Sequence, residues 1–82
     1  MGESKILVPS EIPLDETVMI TGIHFESGMV IEKGAEIFEI ETSKTAYVLL
    51  ADEKGILEHQ LKIGDEVKSG EILGIVKSEN SL

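Results

Sequence analysis

Lys44 is the residue whose setting most invites chemistry. It lies in the run Glu41-Thr42-Ser43-Lys44-Thr45, between the apolar runs Ile37-Phe38-Glu39-Ile40 and Ala46-Tyr47-Val48-Leu49-Leu50. Short polar residues between two strand-like runs predict a tight hairpin turn. A lysine at such a tip is held in water, open to covalent modification and contributing little to stability. A solvated lysine is an ammonium at neutral pH, so acylation needs an enzyme to remove a proton first. The competing reading is an ordinary solvated lysine. Glu41 and Ser43 are candidate recognition groups beside it, and Thr45 is expected to open the return strand. The Thr42 and Ser43 hydroxyls equally suit bonds to nearby backbone that shape the turn.

The other groups offer less. His24 and His59 adjoin Phe25 and, two residues on, Leu61. No cysteine or carboxylate–histidine cluster completes a metal site around them, and strand-surface positions are expected instead. There is no triad, P-loop or dinucleotide fingerprint; the glycines are spaced as turns. Neither a catalytic residue nor a metal ligand is assigned, and the chain is expected to be non-catalytic.

The elements that must position Lys44 come from an internal repeat. At an offset of 36 residues Gly28 maps to Gly64, Ile31 to Val67, Gly34 to Gly70, Ile37 to Leu73, Ile40 to Val76 and Phe25 to Leu61. Two copies are too few for a solenoid and suit a closed body of two like halves. A helical stripe competes, since Ile72, Leu73, Ile75 and Val76 fit helical spacing. Gly70 and Gly74 would each cost a helix about 1 kcal/mol relative to alanine, and the short β-branched runs favour strands. Paired apolar residues within a run suggest burial on both faces or a bulge.

Strands are expected near 5–8, 17–25, 37–42, 45–50, 55–61 and 72–77, with short extended pieces at 30–31 and 66–67. Pro9 and Pro13 suit loop or edge positions. Residues 1–4 and 78–82 are expected to be loose. The predicted core is Ile31, Ile37, Ile40, Ile56, Leu61, Val67, Leu73 and Val76. If the halves are related by a two-fold axis, Lys44 corresponds to Asn80, and the lysine turn lies at the opposite end of the body from the C-terminus.

Eighty-two residues allow one small domain, 1–82, with a core of about 5–77. The absence of cysteine fits the cytosol, and a cytoplasmic location is expected. No signal peptide or spanning segment is legible. The net charge of −9 argues against nucleic acid and anionic membranes and favours a partner with a basic docking patch.

The glycine frame, the run Ile40-Glu41-Thr42-Ser43-Lys44 and the second copy Gly64-Asp65-Glu66-Val67-x-x-Gly70 together resemble the biotinyl/lipoyl carrier domain over roughly residues 5–77. The likeness is greatest to the lipoyl domains of 2-oxoacid dehydrogenase complexes. It implies an all-β flattened barrel, a sandwich hybrid of two four-stranded antiparallel sheets with quasi-two-fold symmetry. It implies that Lys44 is the attachment lysine, with Glu41, Ser43 and Thr45 as the recognition turn. The cofactor implied is lipoate, a swinging arm for acyl groups, with biotin as runner-up. The partners implied are a lipoate ligase or lipoyl transferase, and acyl-donating and acyl-accepting enzymes of a multienzyme complex. Biotin carriers place methionines on both sides of the lysine, whereas Ser43 and Thr45 stand here. An unmodified acidic interaction module is the alternative.

Three departures point to a divergent branch and leave a free-standing carrier open. Ser43 stands where lipoyl domains usually have an acidic residue. Leu49-Leu50-Ala51 replaces a stretch that usually carries prolines. The segment from Gly55 to Gly64 is one residue shorter than usual.

Overall fold

The four glycines that frame the repeat all take positive φ, at 97° for Gly28, 87° for Gly34, 94° for Gly64 and 81° for Gly70. L-residues avoid this region, which is why glycine punctuates each turn. The computed structural model describes residues 2–78. Eight strands form: β1 (Glu3–Leu7), β2 (Val18–Ile23), β3 (Val30–Ile31), β4 (Glu36–Glu41), β5 (Ala46–Leu50), β6 (Gly55–Glu58), β7 (Glu66–Val67) and β8 (Ile72–Lys77). Among the described residues there is no helix.

The strands make two four-stranded antiparallel sheets, ordered β1-β8-β6-β3 and β5-β4-β2-β7. Exchanging β1 with β5, β8 with β4, β6 with β2 and β3 with β7 turns one order into the other. This is the flattened, quasi-two-fold sandwich that the resemblance implies. Each sheet draws two strands from each half of the chain. The turn glycines interlock the halves further: Gly28 N–H donates to Leu57 O (2.7 Å) and Gly64 N–H to Ile20 O (2.8 Å). Likewise Gly34 N–H donates to Ala51 O (2.8 Å) and Gly70 N–H to Val8 O (3.0 Å). Neither copy can complete a sheet alone, so two copies suffice.

The core lies between the sheets and includes Val18, Ile20, Ile31, Ile37, Phe38, Ile40, Leu57, Val67, Leu73 and Val76. Ile37 and Phe38 are both buried although adjacent, because the β4–β5 register shifts between Glu36 and Phe38. The equivalent shift lies between Ile6 and Leu7 where β1 pairs with β8. A bulge of this kind rotates one extra side chain inward. The quasi-symmetry breaks at the pair Phe38 and Gly74. A Cβ on Gly74 would sit 3.7 Å from the Phe38 ring. The two equivalent positions therefore meet, and one large ring opposite one glycine fills the shared space.

Some expectations need correction. Ile56 is half-exposed and Leu57 takes the core position, because Gly55 faces inward and the alternation of a strand then turns Leu57 inward as well. Leu61 is only partly buried, packed against the core edge. Glu3 and Ser4 are not loose: β1 begins at Glu3, paired with Lys77. Strands expected at 17–25 and 55–61 are shorter at both ends or at the C-terminal end, respectively. His59 lies beyond β6, not on a strand surface. Its Nε2–H donates to Phe25 O (3.1 Å), its Nδ1 accepts from Leu61 N–H (3.1 Å), and its ring meets Phe38 edge-on with centroids 5.1 Å apart. His24 also lies off a strand, just past the end of β2; it is exposed and bonds Glu39 of β4 at 2.6 Å. Asn80, the counterpart of Lys44, lies outside the described residues.

Gly55 carries a testable constraint. A Cβ there would stand 2.2 Å from Lys77 O and 2.7 Å from Lys77 C, both backbone atoms. Gly55→Ala is expected to push β6 away from β8 and destabilise by about 1–3 kcal/mol, the usual range for overpacking. A urea titration checks it; an unchanged midpoint would show that the strand pair yields freely.

Candidate functional site

Lys44 sits in the turn joining β4 to β5, and its side chain is exposed. Thr42 builds that turn. Thr42 N–H donates to Thr45 O (2.8 Å), and Thr42 Oγ1 accepts from both Lys44 N–H and Thr45 N–H at 3.1 Å each. One hydroxyl thus caps two amides that would otherwise face water or continue the ladder. This capture is why Thr42 and Thr45 fall outside the strands, and why β5 opens at Ala46 rather than at Thr45.

The lysine therefore has a fixed backbone and an unconstrained stem. Among the described residues its ammonium group makes no ion pair or side-chain hydrogen bond. Glu41 ends β4, paired with Ala46 and with Met19 of β2. Thr45 contributes mainly backbone groups to the turn. The expected recognition residues Glu41, Ser43 and Thr45 are all exposed around Lys44.

The Ser43 hydroxyl does not shape the turn through the backbone. It donates to Glu16 Oε1 at 2.7 Å. Glu16 belongs to the loop between β1 and β2, 27 residues away in sequence, and sequence reasoning missed it. Two local turns build this loop, Ile12 N–H to Pro9 O (3.3 Å) and Glu16 N–H to Pro13 O (3.0 Å). The buried side chain of Ile12 and a bond from Ser69 Oγ to Pro9 O (3.2 Å) hold it down. The signal available was an isolated isoleucine between two prolines, which marks a loop packed onto the body rather than one free in solvent.

Loop and turn enclose two depressions. A cleft of about 440 Å³ is lined by Asp15, Glu16, Thr17, Met19, Glu41, Thr42 and Ser43. A recess of about 100 Å³ at the foot of the lysine includes Ile12, Pro13, Glu16, Lys44, Thr45 and Tyr47. Both are open and shallow, and the acidic side chains outnumber the single lysine. No group of three or more His, Cys, Asp or Glu side chains that could hold a metal occurs among the described residues. The arrangement presents one amine, on a rigid corner, beside carboxylates that another protein can read.

Comparison with known proteins places this geometry. The family model described as "Biotin-requiring enzyme", the biotin/lipoyl domain, matches residues 4–76. The chain is also similar to the dihydrolipoyllysine-residue succinyltransferase component of the 2-oxoglutarate dehydrogenase complex of Bacillus subtilis (strain 168). The identity is 40% over 52 residues, covering 62% of this chain and 12% of that relative. Domains of this family are carriers for covalently attached lipoate or biotin. The match spans both sheets and the whole β4–β5 hairpin, and the chain belongs to the biotin/lipoyl attachment family.

Proposed function

We propose that the chain is a single lipoyl carrier domain, loaded on Lys44 and serving as the acyl-carrying component between separate enzymes, with the cytoplasm as its location. The observation that carries this reading is the exposed, unengaged amine on a turn braced by Thr42, at the tip of a hairpin inside the family match. Lipoate is favoured over biotin because Ser43 and Thr45, not methionines, flank the lysine, and because the relative is named for a dihydrolipoyllysine residue.

The residues fit a tethered group. A lysine stem reaching into open solvent accepts an acyl chain without displacing packed atoms. Attachment requires a loading enzyme that presents an activated carboxyl and takes a proton from Lys44 Nζ. The neutral amine attacks the carbonyl carbon; the C–N bond forms as the bond to the leaving group breaks, the leaving group departs with its electron pair, and the nitrogen gives up a second proton to the loading enzyme or to water, leaving a neutral amide. Lys44 loses its charge, adding one more negative charge to the net −9. The lipoyl group, once attached, supplies a dithiolane able to carry an acyl group. The chain contributes rigidity, reach and partner choice, and tethering raises the local concentration of the arm at each active site. Expected partners are a lipoate ligase or lipoyl transferase, and the acyl-donating and acyl-accepting enzymes of a multienzyme complex.

The test is the intact mass of the protein after incubation with lipoate ligase, ATP and free lipoate. One lipoyl amide per chain is the expected result. A gain only with biotin ligase and biotin would reassign the cofactor, and no gain in either case would favour an unmodified acidic docking module.

A further inference from the structure

Ser43, the residue before the lysine, is tied to a carboxylate from a distant part of the chain. Glu16 reaches across from the β1–β2 loop and accepts the Ser43 hydroxyl at 2.7 Å. Its placement is built rather than incidental. Its own amide is tied to Pro13 O at 3.0 Å, the loop is pinned by buried Ile12, and the residue is half-buried while most of its acidic neighbours are exposed. Glu16 lines both depressions, the cleft behind Ser43 and the recess at the foot of Lys44. A loading enzyme that fills the recess at the foot of Lys44 therefore meets Glu16 as well.

We propose that Glu16 is a specificity-determining residue for the modification of Lys44: its carboxylate, brought to the turn by the neighbouring loop and held there by Ser43, is a charge that the loading enzyme reads beside that of Glu41. This rests on the carrier reading given above. A cationic group of the enzyme is the complementary chemistry, because a desolvated charge-assisted hydrogen bond is both shorter and stronger than a neutral one. Glu16 touches neither the reacting amine nor the acyl donor. Its role is to set which enzyme docks and in what register, which places its effect in binding of the carrier rather than in chemistry.

Three variants separate this from simple bracing of the turn. Glu16→Gln keeps an acceptor for the Ser43 hydroxyl and removes only the charge. Ser43→Ala removes the hydrogen bond and keeps the carboxylate. The exchange of Glu16→Ser with Ser43→Asp moves the charge into the turn. Loading is followed by intact mass with lipoate ligase, ATP and free lipoate over a range of carrier concentrations, and thermal unfolding is recorded for each variant.

The expected result for Glu16→Gln is a loss of roughly tenfold in kcat/KM, the size associated with one charge-assisted contact, expressed as a higher KM at nearly unchanged kcat and melting temperature. Ser43→Ala should lose less, and the exchange should recover most of the rate. Loading of Glu16→Gln at the parent rate would overturn the proposal, as would a larger loss for Ser43→Ala than for Glu16→Gln, which would make the pair a brace. Failure of the exchange to recover any rate would also overturn it. If the parent protein itself is not loaded, the carrier reading falls and takes this inference with it; if only the variants behave otherwise than stated, the carrier reading stands.

Discussion

Lys44→Arg should lose loading completely while leaving the fold untouched. Arginine keeps the positive charge and nearly the length of the side chain, but its guanidinium stays protonated in proteins and offers no free amine to acylate. The turn is held by Thr42 Oγ1 and the Thr42–Thr45 backbone bond, none of which involves the lysine side chain. Surface changes of this kind usually alter stability by no more than about 0.5 kcal/mol. The measurement is intact mass after exhaustive incubation with ligase, beside a urea titration. The chain has six other lysines, so a full mass gain on the variant would move the attachment site elsewhere. Loss of cooperative unfolding in Lys44→Ala would make the lysine structural and defeat the carrier reading.

The second large effect is expected at Phe38. Its ring is fully buried, has its equivalent position occupied by Gly74, and meets His59 edge-on. Phe38→Ala should cost about 3–5 kcal/mol, from lost transfer energy and an unfilled cavity. The cavity cannot be refilled from the opposite strand: a Cβ on Gly74 would already lie 2.8 Å from Glu58 O. Total stabilities of small domains are only about 5–15 kcal/mol, so the variant should be largely unfolded in mild urea. A cost near zero would mean that the contact between the two sheets does not hold the body together. Val30→Ala, at a half-exposed position, serves as the control and should fall within about 0.5 kcal/mol of the parent.

Much of the fold was legible because its constraints are local. Positive φ at a turn demands glycine, so the repeat announced four of the corners. Six of the predicted core residues are buried, since alternation and the paired copies agree on them. Ile56 was misassigned because only the close approach of Gly55 to Lys77 sets which face of β6 turns inward, and that contact joins positions 22 residues apart. Strand ends were overextended at Thr42 and Thr45 because a side-chain hydroxyl, not a backbone preference, closes the turn. Lys44 could be singled out from its flanks alone. Glu16 could not: its link to Ser43 depends on how the β1–β2 loop folds down, and no local pattern records a contact across that distance. The relation of Glu41 to Met19 was hidden for the same reason, since it exists only through sheet pairing.

Gly2 O accepts from Ser78 N–H at 3.1 Å, beside the Glu3–Lys77 pair. Under the exchange that carries β4 onto β8 and β5 onto β1, this junction is the counterpart of the lysine hairpin. A short peptide engineered to link Ser78 to Gly2 would create a second corner on the far side of the axis. Copying Glu41-Thr42-Ser43-Lys44-Thr45 into that bridge would give the body a second exposed amine, facing away from the first.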